Sequence, residues 1–114
     1  NVLQYMGKPS FKLFIRLRKE FDKITREAGL HTGSVPYFIS SHPGCHMSDM
    51  EKLAANPALK GIHMDQVQDF TPTPMTTSSV MYYSGLDPRT MKPVFTEHNP
   101  ERKKMQKSFF FKKK

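Results

Sequence analysis

Val35–Asp49 reads VPYFISSHPGCHMSD. Val35 to Ser40 is short and rich in β-branched and aromatic residues, the composition of a buried strand, with Pro36 confined to its start. Ser41-His42-Pro43-Gly44 breaks the strand. A helix should follow, with Ser48 as its cap and Glu51 three positions on completing a capping box. Met50, Leu53 and Ala54 form the apolar face of that helix, and Asn56-Pro57 ends it. The stretch is therefore a strand, a tight polar loop and a helix.

The same alternation continues on both sides. Upstream, Asn1 can cap a turn carrying Val2, Leu3 and Met6, and Gly7 can close it. Ser10 then stands as an N-cap, and Phe14, Leu17, Phe21, Ile24 and Ala28 recur at helical spacing. Arg16–Glu20 and Asp22–Arg26 are spaced as i,i+4 charge pairs, and Gly29 occupies the place of a left-handed C-terminal cap. Thr32-Gly33-Ser34 makes a turn before the strand. Downstream, Leu59 to Met64 is a connector. Asp65 to Phe70 reads as a second strand, with Val67 facing away from Gln66 and Gln68. Thr71-Pro72-Thr73-Pro74 terminates it. Ser79 to Tyr83 is either an extended piece or a short helix, Gly85 to Pro100 is turn-rich, and Glu101 to Phe111 reads as a helix packing through Met105 and Phe109. Strands alternating with helices over short connections predict an α/β fold with parallel strands and flanking helices. Two strands do not make a stable parallel sheet alone, because such sheets are covered on both faces. Further strands are therefore expected outside this sequence.

Composition sets the outer limits. The 114 residues allow one domain, and nine prolines with six glycines predict much loop. Nine phenylalanines and four tyrosines supply core material, so a disordered chain is not expected. The formal charge is +8, concentrated in the first long helix and in a tail holding Arg102, Lys103, Lys104, Lys107, Lys112, Lys113 and Lys114. With Cys45 as its one cysteine the chain cannot form an internal disulfide, which fits a reducing compartment, the cytoplasm. No apolar run approaches the roughly 18–20 residues of a membrane span, and no signal peptide is visible. The chain does not begin with Met, which points to an internal piece.

Several constellations carry chemistry in principle. His42, Cys45 and His46 lie close together and His63 is near in sequence, but H-x-x-C-H is not a finger spacing and there is no second cysteine pair. No metal site is expected. One cysteine cannot hold an iron–sulfur cluster, which takes about three or four. Adjacent Cys45 and His46 are a weak case for nucleophilic catalysis. The tail interleaves lysines with Phe109, Phe110 and Phe111, a pattern that also serves single-stranded nucleic acid. The expectation is instead a tail that docks its aromatics and leaves its lysines wet. The loops after the two strands are the remaining candidates, since ligands of parallel α/β folds sit beyond the strands' C-terminal ends. These loops are Ser40, Ser41, His42, Pro43 and Gly44 after the first, and Phe70, Thr71 and Pro72, running on to Pro74, after the second. Gly44 lets a neighbour approach the backbone closely.

VPYFISSHPGCHMSD resembles the fifth-strand motif of radical S-adenosylmethionine (SAM) enzymes, where a hydrophobic strand enters a G-x-P-G-E-T-x-x-D loop. Pro43, Gly44 and Asp49 match; Ser41 stands at the first glycine, and Cys45-His46 replaces Glu-Thr. Asp65–Thr77, DQVQDFTPTPMTT, is similar to the sixth-strand segment with its F-x-P-x-P-G-T loop, through Phe70, Pro72, Pro74 and Thr76, with Met75 in place of the glycine. Val2–Phe11, VLQYMGKPSF, resembles the stretch after the fourth strand. The wording of Pro36–Gly44, Asp65–Gln68 and Met81–Gly85, and the basic tail, resembles the YgiQ-type radical SAM proteins over nearly the whole chain.

The resemblance implies a fragment of a partial (βα) barrel over residues 1–84, and the start of a basic C-terminal extension over 85–114. It implies a parent enzyme that binds a four-iron, four-sulfur cluster and SAM and makes a 5′-deoxyadenosyl radical. The cluster's cysteines are absent here, so this chain alone is expected to hold no cofactor and to be catalytically silent. By the same resemblance, Ser40, Ser41, His42, Pro43 and Gly44 lie near the methionine or ribose part of SAM, and Phe70, Thr71 and Pro72 border adenine or substrate. The parent's substrate is unknown. Self-association through exposed sheet edges is expected of the piece; a membrane or nucleic-acid partner is not. The alternative is a small basic module that binds nucleic acid through its Lys/Phe tail.

Overall fold

The protein was analysed as a computed structural model that describes residues 2–60 and 66–111. Asn1 with its expected cap, the end of the connector from Gly61 through His63 to Met64, Asp65 at the expected start of the second strand, and Lys112 to Lys114 lie outside the described residues. The chain runs α1 (Val2–Tyr5), α2 (Phe11–Glu27), β1 (Phe38–Ser40), α3 (Met47–Ala54), a 3-10 turn at Pro57–Leu59, β2 (Val67–Asp69), α4 (Thr77–Ser84) and α5 (Pro100–Ser108). The two strands pair in parallel, with Phe38 opposite Val67 and Ser40 opposite Asp69. The fold is thus mixed α/β, with five helices and a two-stranded parallel sheet among the described residues. None of these helices is long and apolar enough to cross a membrane.

Local signals set most boundaries. The Ser10 side chain accepts from the Lys12 N–H at the start of α2, and Gly29, at φ 67°, follows its end. Among the described residues the ion pair on this helix is Arg18–Asp22 at 3.8 Å, rather than either expected pair. In β2, Val67 is buried while Gln66 and Gln68 are exposed, as alternation requires. The segment Ser79–Tyr83 is helical, because Thr76 accepts the Ser79 N–H and opens α4, and Gly85 closes it at φ 68°.

Further expectations need correction. Within the described residues the second strand is Val67–Asp69, shorter than the expected Asp65–Phe70, with Gln66 and Phe70 outside it. The first strand is shorter than Val35–Ser40: no described strand pairs with the backbone before Phe38, and Val35 and Tyr37 are exposed. Helix α3 starts two residues earlier than Ser48 implied. The Asp49 carboxylate accepts the His46 N–H at 2.9 Å, which makes His46 the cap and Asp49 the third helical residue. In α5 the residue turned inward is Gln106, fully buried, while Met105 is 53 % exposed.

The core is small: Cys45, Met50, Leu59, Val67, Met81 and Val94 are its buried apolar residues among those described. Helix α2 stands apart from it. Leu17 and Ile24 on its apolar stripe are 65 % and 60 % exposed. The radius of gyration is 16.0 Å, against about 13 Å for a compact domain of this length.

Candidate functional site

Parallel pairing brings the loops after β1 and β2 to one end of the sheet, side by side. The Phe70 N–H donates to the Ser40 carbonyl at 2.8 Å, extending the ladder by one bond. The Ser40 hydroxyl donates to Asp69 Oδ1 at 2.6 Å across the paired position. Beyond that point the His42 ring meets Phe70 edge-on at 5.1 Å, and Phe70 meets Tyr82 of α4 at 5.6 Å. All eight sequence-derived candidates therefore fall in one region.

They differ in exposure. Ser40, Ser41, His42, Pro43 and Gly44 are buried, and so is Cys45. Phe70 and Pro72 are half-buried and Thr71 is exposed. A loop buried this deeply must have its polar groups satisfied. Every buried side-chain nitrogen and oxygen among the described residues has a partner. Gln106 supplies several. Its Oε1 accepts from the Ser41 N–H at 3.0 Å, from the Ser41 hydroxyl at 3.4 Å and from the Cys45 thiol at 3.6 Å, and its Nε2 donates to the Cys45 carbonyl at 3.4 Å. One amide thereby spans both ends of the loop.

His42 joins the loop to α4. Its Nδ1 lies 2.9 Å from the Pro43 carbonyl, which can only accept, so Nδ1 carries the proton. Burial lowers the pKa of the ring, against the raising effect of that hydrogen bond, and keeps it neutral. Nε2 is then left to accept from the Ser78 hydroxyl at 2.8 Å. The Cys45 thiol is pushed up to about 11, first by burial and then by the Asp49 carboxylate, with the Ser41 backbone bond pulling the other way. It is a protonated, inert group at neutral pH.

The other side of the loop is walled by α1 and by the long turn after α4. Gly44 has φ 84°, and its N–H donates to the Phe95 carbonyl at 2.7 Å. The Tyr5 ring fills the space over its Cα, so the neighbour that approaches this glycine is Tyr5. His46 stacks on the Phe95 ring at 4.3 Å. Tyr5 is held in turn by Arg89, whose Nη2 donates to the Tyr5 carbonyl at 3.1 Å while its Nε and backbone N–H donate to Asp87 Oδ1. Those bonds, the Arg89 N–H first, hold the Asp87 carboxyl below its ordinary range.

The open part of the region lies past β2. An apolar groove of about 590 Å³ is bordered by Pro72, Pro74, Met75, Val80 and Tyr83. Met75 is fully exposed at its rim with φ 69°. No group of three or more His, Cys, Asp or Glu residues is arranged for a metal among the described residues. Cys45 is the one cysteine of the sequence, and an iron–sulfur cluster takes about three or four.

The described part of the basic tail, up to Phe111, docks on the sheet and α4. Phe110 stacks on Phe38 of β1 at 5.3 Å, and Lys103 Nζ lies 2.8 Å from the Tyr82 hydroxyl and over its ring. Sequence reasoning missed Gln106, Ser78, Tyr5 and Phe95. Ser78 sits in the run of small hydroxyl residues at the start of α4, beside a segment that the sequence left open between extended and helical. Nothing in the local sequence distinguishes Gln106 from a solvent-facing helix residue.

Residues 65–113 match a family described as a domain of unknown function, DUF3362. UPF0313 proteins from Bacteroides thetaiotaomicron, Porphyromonas gingivalis and Methanocella arvoryzae are 49 %, 46 % and 39 % identical over 97 %, 97 % and 95 % of this chain. The chain spans 18 % of the length of each of those three relatives. No solved structure matches it significantly. This similarity covers both strand-end loops, the helices around them and the docked tail, and the chain belongs to the UPF0313 proteins, the YgiQ-type radical SAM family.

Proposed function

We propose that this chain forms part of the active-site wall of a radical SAM enzyme, contributing the loops that face SAM and substrate while the cluster is held by other parts of the polypeptide. The observation that carries the reading is the side-by-side placement of Ser40–Gly44 and Phe70–Pro72 at the C-terminal end of two parallel strands, the edge where ligands of such sheets bind. The open groove past β2 offers proline, methionine and tyrosine surfaces suited to a flat, largely apolar group such as a nucleobase. When bound, the cluster and SAM supply a 5′-deoxyadenosyl radical through one-electron reduction of SAM, with methionine released. The chain's own residues hold the shape of the pocket. His42 stays neutral between Pro43 and Ser78, and Ser40 ties the strand ends together through Asp69.

The test uses the full-length protein that contains this sequence, reconstituted anaerobically with iron and sulfide. A cluster absorption band together with 5′-deoxyadenosine release from SAM under a reductant is the expected result. A folded, iron-supplied protein that shows neither signal overturns the reading.

A further inference from the structure

We infer that Gln106 is a positioning residue that sets the shape of the Ser41–Cys45 loop, so that helix α5 controls SAM affinity from behind the pocket. The consequence for SAM rests on the function proposed above; the clamp itself rests on geometry. Ser41 holds φ 60°, a left-handed conformation that L residues with a side chain rarely adopt. It is kept there, almost completely buried, by bonds from its own N–H and hydroxyl to Gln106 Oε1. The opposite end of the loop is held by Gln106 Nε2 on the Cys45 carbonyl. A loop in a strained conformation persists only when its surroundings determine it, and here one side chain does so at both ends.

The clamp is itself anchored. Asn99 caps α5 by accepting the Glu101 and Arg102 N–H groups. Phe110 stacks on Phe38 just past the helix, and Lys103 meets Tyr82 on its flank. Helix α5 therefore cannot slide without disturbing the sheet and α4. Gln106 is not among the residues that border the open groove past β2, and no atom of it is exposed. Its effect on a ligand must pass through the loop. That is why it counts as a positioning residue and not a catalytic one.

The experiment compares Gln106→Leu, Gln106→Glu and the double variant Ser41→Gly with Gln106→Leu, in the reconstituted full-length protein. It has two readouts: the SAM dissociation constant, and the rate at which a thiol reagent labels Cys45. Gln106→Leu should raise the SAM dissociation constant about tenfold, with a smaller change in turnover at saturating SAM, and should speed Cys45 labelling about as much. Gln106→Glu keeps an acceptor for the Ser41 N–H and loses the donor to Cys45, so it should fall between wild type and Gln106→Leu. Ser41→Gly adopts the left-handed conformation without a clamp, and should bring SAM affinity in the Gln106→Leu background back toward wild type. A folded Gln106→Leu protein with unchanged SAM affinity and unchanged Cys45 labelling overturns the inference. So does a loss of affinity that Ser41→Gly leaves untouched, since a merely structural role predicts that. If the wild-type protein binds no SAM, the functional proposal fails by itself, and the clamp is then decided by Cys45 labelling alone.

Discussion

The ring of Tyr5 rests on the Cα of Gly44, in the volume that a Cβ at that position would fill. The contact closes a chain that runs from Asp87 through Arg89 to the end of α1. Gly44→Ala would both meet Tyr5 and strain a backbone at φ 84°. The backbone part alone is about 1–2 kcal/mol, and displacing Tyr5 adds to it. The expected result is a lower urea midpoint, with part of the loss recovered when Tyr5→Ala is combined with Gly44→Ala. A full recovery would show that the conformational part is absent.

Met75 and Met91 have φ 69° and 56° and are exposed. Gly at either position gives up little burial and relieves the left-handed strain, against the entropy that glycine adds to the unfolded chain. The balance is a gain of about 0.5–1 kcal/mol. Thermal unfolding of Met75→Gly and Met91→Gly reads it directly; a lower melting temperature in both would contradict the strain argument.

Two buried groups bound the pH range of stability. The pKa of His42 is lower in the folded protein than its ordinary 6.5, so the unfolded chain binds the proton more tightly. Its contribution is complete above that value and is lost as pH falls below 6.5 toward the folded pKa. Cys45 is raised from 9.0 to about 11, so its contribution is complete below 9 and is lost as pH rises through 11. Urea midpoints should therefore be flat between about 6.5 and 9 and fall on both sides. Cys45→Ala should flatten the alkaline limb and leave the acid limb in place.

The apolar stripe of α2 faces outward through Leu13, Leu17 and Ile24. Leu17→Lys should change the stability of the chain by no more than about 0.5 kcal/mol, the usual range for a surface change. It should also weaken concentration-dependent self-association, because it places a charge on the apolar stripe. Sedimentation velocity of the two proteins across a concentration series makes the comparison. Equal association would remove this stripe as the contact.

The strand end at Ser40 and the loop after it were legible because their signals are local, while the apolar run overstated the strand, which pairs only from Phe38. Pro36, the β-branched and aromatic run and the Pro43-Gly44 break all act within a few residues. The α2 boundaries follow from Ser10 and Gly29, and the Val67 alternation from its two glutamine neighbours. The cap of α3 was read two residues late because Ser48 and Asp49 are both capping residue types. The cap is instead His46, not a preferred capping type, and Asp49 serves as the third helical residue whose carboxylate reaches back to the His46 N–H.

The amino-acid sequence by itself determined most of the segments that coil or extend, Ser79–Tyr83 excepted, and where polar loops interrupt them, since those preferences come from backbone sterics and neighbouring side chains. It also placed the candidate loops at the ends of two strands. Tertiary structure alone decided that the first loop is buried and the second open, that His42 pairs with Ser78, and that Gln106 spans Ser41 and Cys45. The Ser41–Gln106 bond joins residues 65 positions apart. A glutamine on a polar helix carries no mark of such a partner. Its role appears only when α5 is packed across the sheet end, where a buried N–H and a buried carbonyl must each be satisfied.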